Sequence, residues 1–192
     1  MQKYFQHPQE KILETYNYKG VTIDLVAWTD SIWCGKIGYA ENNSDEPNVD
    51  DIMSGFFALD VPNAAINGRE EPNWDVCMSV NYLSNERPNG VMFGFLVNAA
   101  QQPEGFDVIR VPAAQYLRLP IRVGRKESAQ KLGRKPWRGG IPPYEWIGED
   151  IAPHFSFCYG VDTLPIFEYY GNYTPEKKMH EFCYLYVPVE KI

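Results

Sequence analysis

Apolar positions either alternate with polar ones or run together in short segments bounded by turn formers, a pattern that predicts a chain built mostly of strands. Thr22–Trp28 and Ile32–Tyr39 have strand composition, inside a β-rich region from about Ile12 to Ala40. Residues 1–10 read as a short tail or edge segment. Trp74–Tyr82 and Val91–Val97 form a hairpin pair across a turn ending in Pro88-Asn89-Gly90. Phe106–Pro112, Ala113–Ile121, Phe155–Val161, Pro165–Tyr170 and Phe182–Val189 complete the strands. Two segments have a different period. In Val49–Leu59 the residues Ile52, Met53, Phe56 and Leu59 fall at helical spacing and should face a sheet, with Phe57 beside them. Asn48 or Asp50 can cap this helix, and the acidic first turn suits its dipole. Pro142–Ile151 reads as a second, short helix, with proline at its start and Pro153 just past its end.

The order strand, helix, strand, strand therefore occurs twice, over about 12–100 and about 106–190. Val76–Val80 aligns loosely with Phe157–Val161, and the helix around Phe56 with the one around Trp146. The expected fold is α+β: a single domain over 1–192 made of a duplicated strand-helix-strand-strand unit. It would form two antiparallel sheets with pseudo-two-fold symmetry and a central ligand cleft, where binding sites are often found.

One residue breaks the pattern of its own strand. Glu168 is a carboxylate within the apolar run Ile166-Phe167-Glu168-Tyr169-Tyr170, which has Pro165 before it and the turn formers Gly171 and Asn172 after it. Strand alternation puts Phe167 and Tyr169 on one face and Ile166, Glu168 and Tyr170 on the other. A buried carboxylate is costly without a partner. Glu168 thus either faces water at a sheet edge or sits in a lined cavity that supplies a donor or takes a cation.

Composition narrows the function. Of 192 residues, 44% are hydrophobic and 22% charged, the balance of an ordinary globular chain. Thirteen tyrosines and five tryptophans exceed what packing demands, and such side chains suit pockets for flat or cationic ligands. The net charge of −7 argues against general nucleic-acid binding. The first eight residues lack the apolar core of a secretory signal, and no apolar run reaches the length of a membrane span, so the expected compartment is the cytoplasm. Cys34, Cys77, Cys158 and Cys183 are widely spaced and read as reduced, small core residues. His7, His154 and His180 have no metal-ligand spacing, and no phosphate-binding glycine loop, nucleophile elbow or helix-turn-helix is present. No cofactor or metal is expected. Charge is segregated: acidic residues crowd 41–75, and the segment 118–138 carries Arg118, Arg122, Arg125, Lys126, Lys131, Arg134, Lys135 and Arg138. These are either two solvated faces, or a site for an anionic protein partner on the basic loop 118–138, or patches of opposite charge that associate head to tail.

Four motifs of the second half, in order, resemble the GyrI-like family of small-molecule-binding domains, which also serve as effector domains of multidrug-responsive regulators. Val108–Tyr116 resembles the family's valine-proline-alanine-glycine-x-tyrosine strand, with Ala114 where the family often has glycine. Tyr144–Ile147 resembles its tryptophan-bearing helix, Ile166–Tyr170 its phenylalanine-glutamate-x-tyrosine strand, and Tyr184–Val189 its closing strand. The resemblance covers roughly 106–190; the first half fits by repeat logic. It implies an aromatic cavity in which Glu168 meets a cationic or polar ligand. Ligand-binding candidates are Glu168, Tyr170, Trp146, Tyr82, Phe93 and Phe95, the aromatic ones being equally suited to a core. The expected function is a stand-alone protein that sequesters or senses an amphipathic, aromatic or cationic small molecule. It would itself bind neither DNA nor membrane. The family also implies two alternatives: an inhibitor of a protein partner of the topoisomerase type, and a hydrolase of strained cyclopropane-bearing compounds. In the latter Glu168 would be the catalytic residue, taking a proton from water beside a tyrosine hydroxyl.

Overall fold

A computed structural model describes residues 9–41, 47–59, 65–69, 75–80, 88–120, 150–159, 164–174 and 179–192. Strands β1 (Glu10–Tyr18), β2 (Val21–Trp28) and β3 (Ser31–Tyr39) come first, then helix α1 (Val49–Ala58). β4 (Asp75–Val80), β5 (Gly90–Val97), β6 (Asp107–Val111) and β7 (Ala114–Pro120) follow. A helical turn α2 (Ala152–His154), β8 (Phe157–Tyr159), β9 (Ile166–Thr174) and β10 (Met179–Lys191) end the chain. The mixture is α+β, dominated by strands.

Among the described residues the strands form one 10-stranded sheet, not the two sheets expected. Its order is β1-β2-β7-β10-β9-β4-β5-β3-β6, with β8 pairing the end of β10. The sheet is continuous because β4 pairs with β9 as well as with β5. Outward from the β4–β9 pair, one arm runs β5, β3, β6 and the other β10, β7, β2.

Two connections make this sheet curl. β2 leads into β3 through Thr29 and Asp30 alone, and β6 into β7 through Pro112 and Ala113 alone. Yet β2 pairs with β7 and β3 with β6, on opposite arms. The facing strand ends are then three Cα steps apart, no more than about 11 Å, so the arms must approach. The Ala113 N–H donates to Asp30 Oδ1 at 2.7 Å, tying the two connections together. Trp28 and Trp33 meet across the gap with ring centroids 6.0 Å apart, and both indole N–H groups donate to Ser31 Oγ, at 3.1 and 2.8 Å.

The inner face encloses Val26, Trp28, Trp33, Met92, Tyr116, Phe167, Tyr169 and Tyr186. Tyr186 stacks on Phe167 at 4.6 Å, and Trp28 meets both edge-on. The outer face carries two smaller clusters. One packs α2 and β8 against β2, β7 and β10, through Ile151, Ala152, Phe157, Leu117, Leu185 and Val187. Phe155 stacks on Tyr16 at 4.4 Å and anchors this end. The other packs Phe56 of α1 against Cys34, Phe95 and Val97. Asn48 caps α1 by accepting from the Asp51 N–H, and Ile52 and Phe56 are its buried residues, while Phe57 is exposed. Gly38 of β3 permits this close seat: a Cβ there would stand 2.4 Å from Ile52 Cγ1.

Several sequence expectations need correction. β9 runs through Gly171 and Asn172 to Thr174, because its hairpin ladder with β10 continues to Met179 and overrides the turn propensity. Pro153 lies inside the turn α2, early enough that its missing N–H costs no helical bond. Cys34 is buried, but Cys158 is exposed on β8. Arg118 is no part of a surface loop. It is a fully buried residue of β7, and Glu10, assigned to a tail, is buried at the start of β1. The two meet on the inner face. Arg118 Nη1 bonds Glu10 Oε1, and Arg118 Nη2 bonds Asp24 Oδ2 at 2.8 Å. Tyr186 donates to Glu10 Oε2 and Thr15 to Asp24 Oδ1. The guanidinium lies over the Tyr184 ring, 4.6 Å from its centroid. Burial alone would loosen the Arg118 proton; Tyr186, Glu10 and Asp24 together hold it more tightly than usual.

Candidate functional site

β9 is the middle strand of the nine on the sheet path, so Glu168 is not at an edge. The alternation expected along it holds. Phe167 and Tyr169 are buried in the inner cluster, while Ile166 and Tyr170 belong to the outer face. Directly paired residues share a face, and register then decides which candidates Glu168 can join. Glu168 pairs with Cys77, which pairs with Phe93; Tyr170 pairs with Asp75, which pairs with Phe95. Glu168, Tyr170, Phe93 and Phe95 therefore occupy two neighbouring rows of the outer face, across β9, β4 and β5.

Glu168 and Tyr170 are both half-buried, and the Tyr170 hydroxyl donates to Glu168 Oε2. On the β10 side Glu168 pairs with Leu185, a core residue of the cluster under α2. Two strands away on the other side, Phe93 packs against the cluster under α1. The carboxylate thus lies on the outer face between the cluster under α2 and the cluster under α1. Phe93 is partly exposed. Phe95 is not: it is covered by Phe56 and by Arg69, whose guanidinium carbon lies 4.4 Å from its ring centroid. Tyr82 and Trp146 lie outside the described residues, as does the basic segment beyond Pro120.

Sequence reasoning missed Arg69. It is a lone cation in an acidic stretch, and only the pairing of residue 69 with Val97 brings it to the sheet. Its segment is firmly tied. Asn67 N–H donates to Gln102 Oε1 at 3.1 Å, Gln102 Nε2 returns a bond to the Asn67 carbonyl at 2.8 Å, and Asn98 N–H donates to the Gly68 carbonyl at 2.8 Å. Beneath it, burial pushes the Cys34 thiol up to about 11. Among the described residues no group of three or more His, Cys, Asp or Glu side chains is placed to hold a metal, and no helix is long and apolar enough to cross a membrane.

No known family model and no curated protein matches the chain. Solved structures do. SAV2435 bound to tetraphenylphosphonium superposes with a TM-score of 0.55 at 12% identity, over 93% of this chain and 94% of that one. The EcmrR C-terminal domain gives 0.53 at 15% identity, over 88% and 98%. An integron cassette protein from Vibrio cholerae gives 0.50 at 11% identity, over 88% and 95%. At these identities the likeness establishes a shared fold.

Proposed function

We propose that this chain, which has the GyrI-like fold, binds an amphipathic small molecule with a positive charge on the outer face of its sheet. The observation that carries the reading is the place of Glu168: a half-buried carboxylate at mid-sheet, held by Tyr170, between two apolar clusters. A cation meeting that carboxylate gains more than it would in water, because part of the surrounding solvent is already displaced. Apolar substituents then cover Phe93 and the flanks of the two clusters. A neighbour of the same fold holds tetraphenylphosphonium, a cation of this type. The arm order supports reading the sheet as a duplicated unit in one domain. β3-α1-β4-β5 and β7-β9-β10 correspond about the β4–β9 pair, with β2 and β6 exchanged between the halves. Glu168 then lies beside the axis relating them. Such a protein would serve to sequester or sense its ligand.

The test is calorimetric titration with tetraphenylphosphonium. Saturable binding is expected, weakened about tenfold or more in Glu168→Gln, equivalent to about 1.4 kcal/mol. Equal affinity in wild type and variant would overturn the site.

The Tyr170–Glu168 contact also favours a second reading, in which the carboxylate takes a proton from water while the tyrosine hydroxyl orients it. Turnover of a reactive cyclopropane substrate, read as added water by mass spectrometry, would establish hydrolysis if Glu168→Gln abolished it while keeping ligand affinity. Wild-type protein inert toward several such substrates would eliminate it.

A further inference from the structure

Arg69 occupies the aromatic surface that a second cationic centre would use. Its guanidinium lies over Phe95, 4.4 Å from the ring centroid, within the range of cation–π attraction. The Phe95 row neighbours the Glu168 row on the same face. Strand spacing and rise put the two residues on the order of 12 Å apart. The cation cannot easily swing away, because residues 67–69 are pinned to the segment after β5 through Gln102, Asn98 and Val97. The Arg69 Nε is buried without a hydrogen-bond partner among the described residues, so its place is set by the ring and the pinned backbone.

We propose that Arg69 is a specificity-determining residue, a built-in cation that fills the Phe95 position and restricts this face to ligands with one positive centre. The inference rests on the binding reading above. Distance decides how selective the effect is. A monocation at Glu168 stays on the order of 12 Å from the Phe95 position, and Coulomb repulsion falls with separation. It feels far less of Arg69 than a charge set against the guanidinium. A dication long enough to span the two rows brings its second charge onto the guanidinium, where repulsion is direct and the aromatic face is already taken.

The experiment compares tetraphenylphosphonium with dequalinium, a dication of two aromatic quinolinium rings joined by a flexible ten-carbon chain, by fluorescence quenching of the tyrosines and tryptophans. Wild type, Arg69→Met and Arg69→Lys are each checked for folding by circular dichroism. Arg69→Met is expected to tighten dequalinium about tenfold and to move tetraphenylphosphonium less than threefold. Arg69→Lys keeps the charge and should retain the wild-type preference, which a merely structural role would not predict. An unchanged ratio of the two affinities in Arg69→Met, or an equal gain in Arg69→Lys, overturns the inference and leaves the site at Glu168 intact. Binding of neither probe to wild type or any folded variant overturns both the inference and the reading beneath it.

Discussion

The two faces of the central sheet treat their carboxylates in opposite ways. On the inner face Glu10 and Asp24 are sealed from water, and each has a cation and a hydroxyl within the protein. On the outer face Glu168 keeps part of its surface open and has a tyrosine hydroxyl beside it. The inner acids close a network around Arg118. The outer acid is the one that the proposed ligand would meet. The difference teaches that acidic character in an apolar strand is not itself a functional sign; what separates the two cases is whether the carboxylate is closed in among its partners or left half open to solvent.

The comparison breaks most severely at Arg118. Replacing it by methionine leaves Glu10 and Asp24 buried without their cation, which costs about 3–5 kcal/mol, and urea denaturation should show the loss. A loss below 1 kcal/mol would mean that water or rearrangement compensates, and that the inner face is less sealed than its geometry implies. A smaller effect tests the buried lining under Arg69. The Cys34 thiol is raised to about 11 in the fold, above its usual value near 9. The unfolded chain therefore ionises first, and the contribution is whole below pH 9 and lost as pH climbs toward 11. Stability should fall over that window by about 2 kcal/mol from this group, and Cys34→Ala should flatten that part of the alkaline limb. An unchanged limb would mean that the thiol is not dry. The smallest change is expected at the outer face. Glu168→Gln, which removes charge and keeps shape, should shift stability by less than about 1 kcal/mol while weakening the cation. If it cost as much as Arg118→Met, Glu168 would be a structural acid like the others.

Much of this contrast was visible along the chain. The strict alternation of Ile166-Phe167-Glu168-Tyr169-Tyr170 placed Glu168 and Tyr170 together, and helical spacing picked out Ile52 and Phe56 as the buried side of α1. The Asn48 cap was legible from local chemistry. What could not be read were contacts set by strand order. Arg118 is followed in sequence by a basic run, and its charge suggested the same surface. Its partners stand 94 and 108 residues earlier, brought close only because β7 adds to β2 and β1. Alternation along a strand puts Arg118 on the face of Tyr116, but nothing local identifies that face as the interior. Arg69 was hidden for the same reason. The single continuous sheet depends on β4 meeting β9, a pairing between strands some ninety residues apart.

The exchanged strands have a consequence for how the molecule comes into being. β2 emerges early yet finds its neighbour only when β7 has been made, and β3 waits for β6. A growing chain that has reached β5 holds three edges, those of β2, β3 and β4, whose partners are still to come, and closing them means ordering long intervening stretches first, which slows folding. The early portion is thus exposed to wrong edge-to-edge encounters during synthesis. Once the two short connections lock beside each other, the same wiring works in reverse: neither arm can peel away without dragging its counterpart from the opposite side.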